Sequence, residues 1–351
     1  MSARTKLAAA GLLLLAVRLA VGGESGALPD RLLRGFTPEQ IVETAVRLEL
    51  GTLRAAGDSA VETAEAATPA PVAETASTPE PEGTPTPAPA PVGVSAEGVP
   101  IVPTTIQGGL TMKNETEFSM DLRALLQEGP SIRLAAGQPQ VLIVHTHGSE
   151  AYTPEGSDRY DASDSCRTED TNYNIVRVGD TLTAALEQAG LNVLHDRTIY
   201  DYPSYTGSYA RSGAAVLAYL EQYPSIRVVI DLHRDALCSD DVVYKTMAEI
   251  PDAACSQVML VVGTNGTGLE HPNWQENLKL AVYLQNAVND AHPTLMRPIA
   301  LVNERYNQHL TTGSLIVEVG SSGNTLQEAL NAAQLFGEAA GRALAQLVAA
   351  E

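Results

Sequence analysis

The sequence predicts an α/β fold: a mostly parallel, partly mixed sheet of about six strands with helices on both faces, carried by the C-terminal portion of the chain. Two observations point there. From about residue 137, short apolar runs bounded by polar turns alternate with longer stretches of helical spacing, the pattern of strand–helix–strand units. The side chains equipped for packing and chemistry are concentrated in the same portion: all twelve Tyr, all seven His and the one Trp lie at or after His145. The 351 residues carry 42 acidic and 22 basic side chains, a formal charge of −20. That balance argues against a nucleic-acid binder, which needs a basic footprint to neutralise phosphates.

Taken in order, the first strand is 140–144 (QVLIV), ending on His145, Thr146 and His147. Helical spacing then runs from 174 to 188 and closes at Gly190, which suits a left-handed cap. A strand at 191–194 and a helix at 209–219 follow. The next strand, 226–232 (IRVVIDL), again ends on polar residues, His233, Arg234 and Asp235. After it come a strand at 257–262, a helix from about 272 to 289 with Pro272 in its first turn, and strands at 299–302 and 315–319. Asn324 is the expected N-cap of a long, Ala-rich last helix.

The N-terminal part has a different composition. Residues 1–23 place Arg4 and Lys6 before an apolar run at 7–17 that Arg18 interrupts. Eleven apolar residues fit a signal-peptide core, and the run continued past Arg18 fits an uncleaved signal-anchor; either reading predicts export. Residues 24–60 carry the spacing of a short helical segment broken at Gly35 and Gly51. Between 69 and 91 eight of 23 residues are Pro, and between 62 and 97 there are six Glu with no Lys or Arg. Proline removes donors and like charges repel, so 61–103 is read as an extended, disordered spacer. A lead-in at 104–136 then precedes a catalytic domain at 137–351. The three cysteines, Cys166, Cys238 and Cys255, match no zinc-ribbon or CxxC spacing and are read as buried free thiols.

In folds of this class ligands bind beyond the carboxyl ends of strands. Three such ends carry reactive groups: VLIVHTHGSEAYTP, VVIDLHRDA and LIVEVGSSGNT. Imidazoles and carboxylates converging there have the composition of a catalytic zinc site: protein ligands, an open position for water and a further carboxylate as base. His145 and His147 share strand parity and would face one way if the strand continued. Glu150 lies three residues beyond His147, where a turn folds it back. A Glu inside LIVEVG, Glu318, carries a desolvation cost that a metal, an Arg or a hydrogen-bond network must offset.

The segments HTHGSEAYTP, NIVRVGD, HDRTIYDYPSYTGSYARS, YPSIRVVIDLHRDA, HPNWQENLKLA, RYNQHL and LIVEVGSSGNTLQEAL, in order between residues 140 and 344, resemble the stage II sporulation protein P family. The resemblance implies a membrane-anchored peptidoglycan hydrolase of endospore-forming bacteria, working outside the cytoplasm on a fold like that of the zinc-dependent N-acetylmuramoyl-L-alanine amidases. It implies Zn²⁺ as cofactor and peptidoglycan as substrate, with endopeptidase action on cross-links as a further activity. It also implies the lytic transglycosylase stage II sporulation protein D as a partner. Carried onto this sequence, His147 and His233 are the expected metal ligands and Glu318 the general base. The wider superfamily takes its middle ligand from a Glu at the start of the following helix. None stands in register here, and Glu150 is preferred to Asp170. Arg234 or Arg305 is expected to steady the developing oxyanion or grip a peptide carboxylate. Arg234 is accordingly taken as catalytic, and Arg305, Tyr205 and Asn265 as substrate-binding. Tyr202, Tyr209 and Trp274 are candidates for an aromatic wall. Two other readings stay open, a cell-wall zinc peptidase of another class and a tethered, non-catalytic peptidoglycan-binding module.

Overall fold

The computed structural model describes residues 90–95, 98–106, 109–239 and 241–349. The expected signal or anchor segment (1–23), the helical segment (24–60) and the spacer up to residue 89 lie outside the described residues. Among the described residues no helix is long and apolar enough to cross a membrane. In chain order the strands are β1 (Gly93–Val94), β2 (Pro100–Thr104), β3 (Met112–Asn114), β4 (Val141–Val144), β5 (Val193–His195), β6 (Val228–Asp235), β7 (Val243–Ile250), β8 (Ala253–Ser256), β9 (Val258–Gly263), β10 (Ile299–Val302) and β11 (Ser314–Ser321). The helices are α1 (Leu122–Glu128), α2 (Ile175–Gln188), α3 (Ser208–Gln222), α4 (Trp274–Ala291) and α5 (Leu326–Ala345), with a 3₁₀ turn at Gln308–Leu310.

The main sheet has seven strands in the order β3-β10-β9-β11-β6-β4-β5. Neighbours run parallel except β9 and β11, which are antiparallel. All six strands read from the apolar runs are present. The seventh, β3, is an edge strand from the expected lead-in, so the divide placed at residue 137 is not a structural break. A second sheet, β1-β2-β7-β8, was not foreseen. It draws β1 and β2 from the end of the stretch read as spacer, which therefore stops short of residue 103. Its β7, VYKTMAEI, mixes polar and apolar residues without a long apolar run, so hydrophobicity alone does not reveal it.

Strand alternation divides the core. Ile143, Ile230, Leu260, Leu301 and Val317 face helices α2, α4 and α5 in the larger cluster. Leu142, Val144 and Val229 face Val216 of α3 on the other side. Beyond α3 that second face continues over Val261, Ala300, Val302 and Ile316, with Met259 and Tyr306 packed against them. α2 and α5 pack closely: a Cβ added at Gly337 would lie 2.6 Å from that of Ala185.

The caps follow local chemistry. Asn174 caps α2 by accepting from Val176 N at 3.0 Å, and Gly190 takes φ +92° after its end. At α5 the cap is Thr325, one residue later than expected. Asn324 Oδ1 is already taken by the backbone N–H groups of Ser321 (2.9 Å) and Thr246 (3.1 Å). Thr325 instead forms a reciprocal capping box with Glu328. No disulfide joins the three cysteines, and only Cys255 is buried; Cys166 is half-buried and Cys238 exposed.

Candidate active site

β4 ends at Val144, so His145 and His147 do not share an extended face as the parity argument supposed. The chain turns instead, with Glu150 N donating to His147 O at 3.1 Å. This turn brings Glu150 back under His147. β6, the neighbour of β4, presents His233 beside them. One donor atom from each of His147, Glu150 and His233 lies within 4.8 Å of the others, and all three residues are buried. The Glu150 carboxylate is 3.6 Å from His147 Nδ1 and 3.4 Å from His233 Nδ1. These distances exceed the 2.7–2.9 Å of a charge-assisted hydrogen bond. They match the spacing of roughly 3.4 Å between donors arranged tetrahedrally around an ion at about 2.0–2.2 Å. Nε2 of both His147 and His233 is buried without a hydrogen bond. Two imidazoles and a carboxylate, unsatisfied by one another, fit zinc by chemistry and by spacing.

The surroundings hold these groups in place. Asp231, two residues before His233 on the same face, lies 2.9 Å from His233 Nε2 but out of line for a hydrogen bond. Asp231 is fixed by Thr146, whose N–H and hydroxyl donate to it at 2.8 and 2.7 Å. Burial pushes the Asp231 carboxyl up, but His233 and Thr146 outweigh it and hold the group low. Burial likewise disfavours charge on Glu150, yet His147, His233 and Arg234 keep it well below the usual carboxylate range. Against the loss from burial, Asp231 and Glu150 raise His233 well above an ordinary imidazole. Arg167 reaches Asp201 at 2.5 Å and Glu150 at 3.5 Å, and Asp201 also receives the Ser149 N–H and hydroxyl.

Glu318 is opposite His233 in the β6–β11 ladder, so alternation places both on the second face of the sheet. Its Oε2 is buried with no partner. Burial, aided by Glu150 and Asp235 and opposed by His233, pushes its carboxyl up to about 8. Tyr205 stacks on the His147 ring at 4.6 Å, and Tyr209 meets that ring edge-on at 5.5 Å.

Several expected residues stand elsewhere. His145 is fully buried behind the cluster, Nε2 2.8 Å from His195 Nε2 and Nδ1 3.1 Å from Leu232 O, which leaves neither nitrogen free as a ligand. Asp170 is exposed in a turn, accepting from Asn172. The Arg234 guanidinium is spent on the carbonyls of Ala151 (2.8 Å) and Cys166 (3.0 Å), and only its backbone N–H touches Glu150, at 3.1 Å. Being one residue from His233, its side chain alternates to the other face, while its charge still favours the ionised forms of Glu150 and Glu318. Asn265 and Arg305 follow β9 and β10. Because β9 runs antiparallel to β11, those loops leave the sheet at the end opposite Glu318, although Tyr306, next to Arg305, returns to within 5.4 Å of the Tyr209 ring. Trp274 stacks on Phe118 at 4.8 Å and is buried, while Tyr202 is exposed. Sequence reasoning missed Asp231, Arg167 and Asp201. Asp231, a carboxylate within VVIDLH, carried the same signal as Glu318; Arg167 and Asp201 lie in loops and carried none.

A mixed α/β sheet with a His–Glu–His donor cluster at its strand ends defines the class of protein. The chain belongs to the stage II sporulation protein P family, whose model matches residues 79–340. Stage II sporulation protein P of Bacillus subtilis (strain 168) is 29% identical over 218 residues, which are 59% of this chain and 51% of that protein. The match thus spans about half the length of that relative. Among solved structures, N-acetylmuramoyl-L-alanine amidase AmiC2 of Nostoc punctiforme is 14% identical with a TM-score of 0.33, over 60% of this chain and 98% of the other. The amidase Ami1 of Mycobacterium smegmatis is 14% identical with a TM-score of 0.35, over 61% and 98%. An N-acetylmuramoyl-L-alanine amidase from Clostridium difficile 630 is 14% identical with a TM-score of 0.33, over 60% and 95%.

Proposed function

We propose that the chain is a sporulation peptidoglycan hydrolase that cleaves the amide between N-acetylmuramic acid and the L-alanine of the stem peptide. The observation that carries this reading is the cluster of His147, Glu150 and His233 beside Glu318, whose Oε2 is buried without a partner. Family membership supports it. His147, Glu150 and His233 would hold zinc, and Asp231 would orient His233. Zinc held there would supply a water made far more acidic and a Lewis acid for the scissile carbonyl, and its charge would favour the ionised Glu318 carboxylate. Glu318 accepts a proton from the attacking water and returns it to the leaving amine nitrogen. Tyr205, more than half exposed over His147, offers a face against which the sugar or peptide lies. The N-terminal segment would export or anchor the chain, the Pro/Glu-rich spacer would give reach from the membrane, and stage II sporulation protein D would act on the same strands.

The test is digestion of purified sacculi with mass spectrometry and metal analysis. Stem peptides with free L-alanine amino termini are expected. Glu318→Gln should keep its zinc and lose about 10²–10⁴-fold in rate, while His147→Ala should lose both metal and activity. Release of terminal D-alanine alone, or a fully active His147→Ala, would overturn the reading.

A further inference from the structure

The end of the sheet away from the His–Glu–His cluster carries a second group of ionisable side chains that hydrolysis does not use. The loops after β9 and β10 meet there at the start of α4. His271 is 3% exposed, and neither of its ring nitrogens has a hydrogen-bond partner. The rings of His271 and His309 stand edge-on with centres 6.4 Å apart, and His309 Nδ1 and Arg305 Nε are also without partners. Arg305 is tied at one end only, donating to the Glu270 carbonyl at 3.1 Å. His271 lines an open pocket of about 530 Å³ together with Asn265, Glu270, Pro272, Trp274 and Gln275.

Two features give the pocket its sign. The first is the N-terminus of α4, an 18-residue helix whose cap residue Asn273 makes no side-chain capping bond, its amide going instead to His309 O at 2.9 Å. Unsatisfied N–H groups and the helix dipole make such an end favourable for negative charge. The second is the buried imidazole itself, which carries a desolvation cost while unpaired. Burial, His309 and Arg305 all disfavour a proton on His271, which is held down at about 4. The carboxylate that lines the pocket, Glu270, belongs to an exposed residue, and Glu276 of the first helical turn is engaged by Lys279 and Ser131 N. Arg305 and the helix end both oppose a metal cation.

We propose that this pocket is an oxyanion-binding site, in which a carboxylate or phosphate oxygen accepts from His271 against the N-terminus of α4, with Arg305 supplying positive potential from behind. The ligand is an acidic group held apart from the hydrolytic centre, so the site would anchor an acidic substrate or polymer at a second point.

Histidine side-chain NMR of the full-length chain tests this, with inorganic phosphate in one arm and acetate in the other at constant ionic strength. The His271 resonance, assigned by its absence in His271→Gln, should shift and saturate in the millimolar range. Phosphate should raise the melting temperature of the wild type, and Arg305→Gln should weaken binding about tenfold. Saturation by phosphate alone assigns a phosphate-bearing ligand, by acetate alone a carboxylate, and by both the shared chemistry. No shift with either probe overturns the proposal, as does an equal response in Arg305→Gln whose unliganded melting point is unchanged. A His271 shift with Zn²⁺ alone also overturns it.

Discussion

Two buried histidines at opposite ends of the sheet, His233 and His271, are pushed in opposite directions. At the ends of β4 and β6, His147 and His233 are surrounded by Glu150, Asp231 and Glu318, and His233 is raised well above an ordinary imidazole. At the far end His271 and His309 face each other and Arg305, and both are lowered. Burial acts alike on all of them; the neighbours decide the sign. Carboxylates packed among imidazoles leave a site that needs a cation to settle its negative charge. Imidazoles beside a guanidinium and a helix N-terminus leave one that accepts an anion. Counting histidines would score the ends alike, whereas their partners separate them.

The largest effect that would break this contrast lies at Asp231. Replacing it by Asn keeps the shape and the contact with Thr146 while removing the charge beside His233. Zinc affinity should fall by about 10–100-fold, as for other groups that orient a metal-binding imidazole. Equilibrium dialysis against a competing chelator reads this directly, with circular dichroism as the check on folding. Unchanged affinity would mean that the carboxylate does not tune the cluster.

At the other end the contrast predicts acid sensitivity. His271 moves from an ordinary value of 6.5 to about 4 on folding. Between those values the unfolded chain binds a proton that the folded one refuses, so stability falls as the pH drops through this window. The groups acting on it are His309 from the 3₁₀ turn and Arg305 from the loop before it, with Glu270 at the rim. Denaturant midpoints measured from pH 7 to pH 4 should therefore slope less steeply in His271→Gln than in the wild type, and less steeply with phosphate present. Parallel slopes would remove the contrast.

Much of this arrangement is legible in the sequence, for reasons that vary with the element. The six central strands announce themselves as apolar runs because both faces of the sheet are buried, and Glu318 stands out as a charge inside one of them. β3 and the strands of the small sheet are short, edge-placed or polar, so their burial comes from neighbours distant in sequence. His147, Glu150 and His233 are brought together by a turn and a parallel pairing, which strand ends foreshadow. Which end of the sheet the loops of Asn265 and Arg305 leave from depends on one antiparallel neighbour, β9 against β11, and no local pattern encodes strand direction. Arg234 shows the opposite limit: its period-2 relation to His233 was present in the sequence and already set it on the other face.

The smallest effect concerns what holds the first end in place. Thr325 and Glu328 cap α5, and the preceding carbonyl, Asn324 O, accepts from Thr153 N at 2.8 Å in the segment following Glu150. Tyr152 in the same segment donates to Val319 O at 2.8 Å, next to Glu318. The cap therefore supports the frame on which Glu150 and Glu318 sit without touching the donors. Thr325→Ala removes one capping bond and should cost about 1 kcal/mol of stability, read as a lower denaturant midpoint with an unchanged slope. Zinc affinity should stay at the wild-type value, because Asp231, Thr146 and the β4–β6 pairing still fix His233. Loss of zinc in proportion to loss of stability would show instead that the helix start and the donor cluster form one mechanical unit, and that the first end of the sheet is held by its loops more than by its strands.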